Sequence, residues 1–391
     1  MTRARVALVL AALALGAGAV ACGGGGPQKV ETGPRALPPA NPQAVAKMVQ
    51  GVAAAKDGAR DRAAALLREA IGIDTNLWEA RFDLGVVLTT MGDLAGAEEQ
   101  LVAAAKLAPD SPEVAMALGE VQRRRGSHKA AAAGLGEFLE HHPDALDART
   151  LYVAALRNSG QVDKAIAQGR EVLVRKPGDA QALAELALCH LAKNERETAQ
   201  LLAKQALDAN AKSPIAHRAI GLIHLQEGDD AAAFQSFQKA AQEDPRDTTA
   251  RMNMGTVLLR AGAYAKAEEQ FRAIMQATPE DAEAQIGLAA SLRGQADPKA
   301  GGPKIEEARV LLTKVLDRDP HNVGALFNLG VLYTDFLKKP DEARPLFKRF
   351  LSDAPGDHPS RAEAERYSNA IAAPAKAPTP PPPAAPPGGK K

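Results

Sequence analysis

Residues 248–281, TTARMNMGTVLLRAGAYAKAEEQFRAIMQATPED, decide the fold of this chain. Gly255 is the eighth of these 34 residues, Ala267 the twentieth and Pro279 the thirty-second. The same marks return in phase along the chain. Prolines stand at Pro109, Pro143, Pro177, Pro245 and Pro279, with Ala211 in the one skipped place, and Pro320 and Pro355 follow at spacings of 41 and 35. Twelve residues before each mark lies an alanine: Ala63, Ala97, Ala131, Ala165, Ala199, Ala233, Ala267, Ala308 and Ala343. Twenty-four before come Gly51, Gly85, Gly119, Val153, Ala187, Gly221 and Gly255, and Gly330 returns in the last repeat. A period of this length marks stacked helical hairpins, none of which can bury its apolar face alone. Proline stops the second helix because it has no N–H to donate. The small residues at positions 8 and 20 are expected to face each other where the two helices cross. Leu84, Leu118, Leu186, Ile220, Met254, Leu288 and Leu329 fill the volume beside them.

Composition narrows the function. The 391 residues carry Lys+Arg 48 against Asp+Glu 47, a balance that excludes a broad polybasic surface. Aromatics are only 4% of the chain, which argues against base-stacking platforms for single-stranded nucleic acid. No nucleophile elbow, phosphate loop, dinucleotide fingerprint, HExxH or paired CxxC is present. Outside the repeats no segment is long enough to be a catalytic domain. The expectation is a protein without catalysis, cofactor or metal.

The two ends read as something other than fold. Arg3 and Arg5 precede an apolar run from Val6 to Leu15, so residues 1–21 are expected to be an export signal. Ala19-Val20-Ala21-Cys22 resembles the lipobox of bacterial lipoproteins. That resemblance implies acylation of the Cys22 thiol, with residues 22–43 as a Gly/Pro-rich tether. By the same resemblance the protein would sit in the outer membrane facing the periplasm. The other cysteine is Cys189, so a lipidated Cys22 leaves no disulfide within the chain. Residues 373–391, APAKAPTPPPPAAPPGGKK, read as an extended polyproline-type tail.

The positions of Gly, Ala and Pro in each 34-residue unit resemble the tetratricopeptide repeat family over residues 44–357. The resemblance implies an all-α solenoid: a right-handed superhelix of about nine antiparallel helix pairs, with a concave groove lined by the first helix of each pair. Residues 358–372 would form a capping helix, since Glu365 takes the place of the small residue and forbids another repeat; Pro359 suits its start. Positions 5, 9, 12 and 13 of each first helix would line the groove. They give an apolar floor of Phe82, Val86, Met116, Leu188, Leu222, Met252, Ile286, Phe327 and Val331, beside Arg123, Arg124, Arg157 and Arg260. Such a groove suits an extended peptide or amphipathic helix, with the arginines pairing to carboxylates. A clamp for a peptide C-terminus of the kind some family members use is not expected. Asn253 and Asn328 stand at position 6, but lysine is missing at position 5 throughout.

Three features have plainer readings. The run Arg123-Arg124-Arg125 ends a helix and is expected to be a solvated face favoured by the helix dipole, rather than a phosphate or lipid site. His190, His217 and His224 fall on comparable faces near Cys189, yet their spacing matches no metal motif. Seven additional residues between Leu292 and Ala308 lengthen the turn inside the eighth repeat. The resemblance to lipoproteins with these repeats, some of which serve pilus assembly or gliding motility, implies an adaptor lipoprotein of the bacterial envelope in an assembly of that type. The alternatives are a binding protein for cell wall or a cell-wall enzyme, and an enzyme built on the histidines.

Overall fold

The computed structural model describes residues 38–245, 247–297 and 302–372. The expected export signal, the expected acylation site Cys22 and the Pro/Ala-rich tail lie outside the described residues, as does most of the expected tether. The regular elements of the described residues are all helices, and the chain divides between Ala211 and Lys212 into two compact units. The first unit holds α1 (Pro42–Lys56), α2 (Arg60–Ile73), α3 (Trp78–Met91), α4 (Leu94–Leu107), α5 (Pro112–Arg124), α6 (His128–His141), α7 (Leu146–Asn158), α8 (Val162–Arg175), α9 (Ala180–Ala192) and α10 (Arg196–Ala209). The second holds α11 (Pro214–Glu227), α12 (Asp230–Glu243), α13 (Thr248–Arg260), α14 (Tyr264–Ala277), α15 (Ala282–Gly294), α16 (Pro303–Arg318), α17 (Val323–Val331), α18 (Pro340–Asp353) and α19 (Arg361–Ala372). Odd-numbered helices up to α17 are the first, or A, helices of nine hairpins; even-numbered ones are the B helices. Successive A helices also touch, in the series α1, α3, α5, α7, α9 of the first unit and α13, α15, α17 of the second.

Local chemistry sets the helix ends. Asn41, Ser111, Asp179, Ser213, Asp247, Asp281 and Asn322 each stand just before an A helix and accept a hydrogen bond from its first turn. The cap at Asn41 starts α1 at Pro42, inside the stretch read as tether. The turn from A to B needs one left-handed residue. Six glycines supply it at 34-residue phase (Gly58, Gly92, Gly126, Gly160, Gly228, Gly262), Asn194 supplies it in the fifth repeat and Lys338 in the ninth. The next N–H reaches back five residues in the manner of a Schellman cap, as Asp93 to Leu88 O at 3.0 Å and Ala263 to Leu258 O at 2.8 Å.

The hairpin crossing brings a third position to the two expected to meet. All nine position-20 alanines are 0% exposed. The position-8 glycines meet position 24 of the B helix as well: a Cβ on Gly51 would lie 3.3 Å from O of Ala63, at position 20, and closer still to Leu67, at position 24. A Cβ on Gly51 would lie 2.8 Å from Leu67 Cγ; on Gly85, 2.6 Å from Leu101; on Gly221, 2.5 Å from Phe237; on Gly330, 2.8 Å from Phe347. The glycine is small because a large side chain lies across it. In the fourth repeat the sizes are exchanged: Val153 holds position 8 and Gly169 holds position 24, where a Cβ would lie 2.7 Å from Leu186 of the next A helix. The fifth repeat uses Ala187 and Ala203, both buried. A large side chain at one of the two positions thus goes with glycine at the other, and two alanines serve in the fifth repeat.

Two irregularities lie in the second unit. Gly330 and Ala343 are 13 residues apart where Gly255 and Ala267 are 12. The extra residue is absorbed as a π turn over Leu332–Phe336, closed by Leu337 N–H donating to Leu332 O at 3.0 Å. In the eighth repeat the insertion falls between α15 and α16, where the turn was expected to lengthen. The last helix, α19, begins at Arg361 and not at Pro359, because Ser360 rather than the proline provides the carbonyl that accepts from Ala364 N–H, at 2.9 Å. No described helix is long and apolar enough to cross a membrane.

Candidate functional site

The faces of the A helices hold the residues expected to bind a partner. Seven of the apolar nine are half-buried and present an edge to solvent: Phe82 and Val86 on α3, Met116 on α5, Leu222 on α11, Met252 on α13, Ile286 on α15 and Phe327 on α17. The other two are corrected by the structure. Leu188 is only 4% exposed, because every residue of α9 from Ala182 to Leu191 is buried by neighbouring helices. Val331 is 6% exposed and packs into the cluster of Ala343, Phe347 and Phe350. Phe327 is partly spent as well: its ring lies 5.4 Å from that of Phe350 and 6.3 Å from that of Phe347. At position 5 of the sixth repeat stands Arg218, buried and paired with Asp247 at 2.9 Å, so the apolar floor is interrupted there.

Three of the four arginines expected to meet carboxylates of a partner already meet carboxylates of this chain. Arg123 makes two bonds of 2.8 Å to Glu120 one turn earlier. Arg157 donates through Nε and Nη2 to Glu185 of the next A helix at 3.2 and 3.1 Å, and Glu185 is buried. Arg260 Nη2 lies 3.2 Å from Asp230. Arg125 pairs with Glu98, and Arg124 is exposed on the last turn of α5, where a cation complements the helix dipole. Asn328 donates its amide to Gly324 O of its own helix at 2.9 Å.

The histidines do not converge. His190 Nδ1 lies 2.5 Å from Glu195 Oε2, a hydrogen bond that holds the Glu195 carboxyl below its usual range. His224 Nδ1 lies 3.2 Å from Glu227. Among the described residues no three His, Cys, Asp or Glu side chains come together as metal ligands do. Burial pushes the Cys189 thiol up to about 12, so it stays protonated and unreactive.

Two charged groups on the A faces went unnoticed in the sequence. Asp83 of α3 is half-buried; desolvation first and the neighbouring Glu79 second raise its pKa to about 7, against a smaller opposing pull from Lys56. Arg293 of α15 has a buried Nη1 with no hydrogen-bond acceptor, and burial lowers its affinity for the proton while Tyr367, Asp335, Glu363 and Tyr264 oppose that. Asp335 itself accepts from Tyr367 Oη at 2.6 Å, tying the π turn to α19. The register was available for both residues: Asp83 stands at position 6 and Arg293 at position 12. What the register does not reveal is whether a charged side chain finds a partner.

Comparison with known proteins agrees with this geometry. One tetratricopeptide repeat model matches residues 54–121 and 224–292. A second of the same description matches 131–180, 184–248 and 303–358. Among solved structures, a tetratricopeptide repeat protein from Parabacteroides merdae aligns at 19% identity and a TM-score of 0.42, covering 65% of this chain and 98% of its own. The Pseudomonas aeruginosa pilF structure aligns at 19% identity and 0.48, covering 58% and 98%. Yeast Tom70 aligns at 12% identity and 0.43, covering 84% and 96%. At these identities the likeness is one of fold. No curated protein sequence matches the chain.

Proposed function

Because the chain belongs to the tetratricopeptide repeat family, we propose that it works without catalysis, as an envelope adaptor that holds protein partners on the A faces of its hairpins. Repeats of this family make a protein-interaction scaffold. The observation that carries the reading is the row of half-buried apolar side chains, Phe82, Val86, Met116, Leu222, Met252 and Ile286, on helices whose other sides are consumed by packing. Each has an apolar edge left over for a partner to cover. The scarcity of aromatic residues favours protein over cell-wall glycan.

The envelope location rests on Ala19-Val20-Ala21-Cys22. A lipid on Cys22 would hold the repeats at a membrane surface and raise the local concentration of whatever they bind. A pilus or gliding-type assembly is the process we favour. The test is crosslinking in living cells followed by mass spectrometry, comparing the natural chain with Phe82→Ala/Met116→Ala and Met252→Ala/Ile286→Ala. Loss of specific crosslinked proteins in these variants, with helicity retained, is expected. An unchanged set would refute binding on the A faces.

A further inference from the structure

At the end of the second unit one carboxylate stands between two possible partners. Asp335, in the π turn, accepts from Tyr367 Oη of α19 at 2.6 Å. Arg293 of α15 feels the Asp335 charge but forms no ion pair with it among the described residues. The arginine as a whole is half-buried, yet its Nη1 is closed off from solvent and has no acceptor. A buried donor left unbonded is costly. Two acids are in electrostatic reach of it: Asp335, which Tyr367 holds, and Glu363, which belongs to α19 itself. The backbone that carries Asp335 is irregular. Its π turn is of a kind that recurs where helices rearrange. Lys338 follows at φ 56°, a left-handed conformation that costs a residue with a Cβ; among the described residues every other residue at positive φ is glycine or asparagine. The helix that holds Asp335 is in turn lightly held. α19 packs chiefly on α18, with Ala364 fully buried and the Tyr367 ring stacked on Phe347 at 5.1 Å. Side-chain bonds from Arg361 to Ala354 O at 3.2 Å and from Arg344 to Ile371 O at 3.3 Å add to this, both at the long end of the range.

We propose that α19 is a releasable cap and that Asp335 changes partner with it: docked, the carboxylate accepts from Tyr367; released, it pairs with Arg293. The pair formed on release offsets part of the packing that is lost, so the cap opens more readily than its own contacts would allow. Opening uncovers the face of Phe347 on which Tyr367 stacks, a ring with 0% exposure while the cap is docked. The two arrangements make a two-state element at the end of the repeats.

The experiment is native-state hydrogen exchange on the full chain, followed by mass spectrometry, with α13 and α14 as the internal control. In the natural chain α19 is expected to exchange faster than α18; equal rates would mean a fixed cap and overturn the proposal. Arg293→Met removes the pair from the released state and is expected to slow exchange of α19 by at least about threefold. That sign is opposite to the one expected of an arginine that only braces the fold, whose removal loosens its neighbours. In the Asp335→Asn chain, adding Arg293→Met is expected to leave the α19 rate unchanged, because the released state there has no pair to lose. Faster or unchanged exchange of α19 after Arg293→Met alone would overturn the partner change. Equal slowing with and without Asp335→Asn would overturn it too, since relief of the unbonded Nη1 would then explain the whole effect. If circular dichroism shows that Arg293→Met loses helicity, Arg293→Gln carries the same test.

Discussion

Replacing Gly255 by alanine tests the packing rule of the hairpins, because helix propensity and steric fit give opposite signs. In a helix interior an alanine is worth about 0.5–1 kcal/mol more than a glycine. At Gly255 the new Cβ would lie 2.6 Å from Phe271 Cζ, where ordinary contact begins near 3.4 Å. The ring must retreat by roughly 0.8 Å, the difference between those distances. It cannot do so freely, since Gly287 of the next A helix holds its other side at 2.4 Å from a hypothetical Cβ. Overpacking of this kind costs about 1–3 kcal/mol, so Gly255→Ala is expected to be a net loss. Gly134, within α6, has nothing within 4 Å of its hypothetical Cβ. Gly134→Ala is expected to stabilise by about 0.5–1 kcal/mol. Urea denaturation followed by far-ultraviolet circular dichroism measures both. Adding Phe271→Leu should recover part of the loss at Gly255, giving a non-additive cycle. Stabilisation by Gly255→Ala equal to that by Gly134→Ala would refute the slotted ring.

Other outcomes follow from single residues. Asp83 has its pKa raised from 3.8 to about 7, so the folded state holds the proton more tightly than the unfolded chain, and stability falls as pH rises through that interval. Asp83→Asn should therefore match the natural chain near pH 4 and gain on it up to pH 7, with a ceiling of about 4 kcal/mol; denaturation at several pH values checks this. Ala267→Leu, at a site with 0% exposure, should lower stability by about 1–3 kcal/mol, read by the same method. Tyr367→Phe removes the bond to Asp335 and should speed amide exchange across α19 while leaving the first unit unchanged. Cys22→Ala should abolish metabolic palmitate labelling and release the protein from membranes; unchanged labelling would exclude lipidation at that residue.

Much of the fold was legible because stacking hairpins repeats the same steric problem every 34 residues. Position 20 is alanine in all nine repeats and needs no structure to be noticed. The turn glycines at Gly58, Gly92, Gly126, Gly160, Gly228 and Gly262 were equally periodic, yet their left-handed role emerges only with the backbone angles. Position 24 was harder, since Leu67, Leu101 and Leu135 give way to Phe237, Phe271 and Phe347 and, in the fourth repeat, to Gly169. That sequence of sizes makes sense only once it is set against the residue each one covers.

The groove residues divide along the same line. Register along an A helix places Phe82, Leu188 and Val331 on equivalent faces, because local geometry is the same in every repeat. Tertiary packing then leaves Phe82 half-buried, encloses Leu188 completely and spends Val331 on the cluster of Phe347 and Phe350. Arg157 and Asp83 separate likewise: one finds Glu185 on the next helix, and the other has no ion pair among the described residues. The amino-acid order alone settled the helices, their pairing and their phase, since these depend on contacts within one repeat or between adjacent ones. Which side chains remain open, and which charges remain unbalanced, was decided by tertiary packing, because exposure and pairing depend on what the neighbouring hairpins bring to the same face.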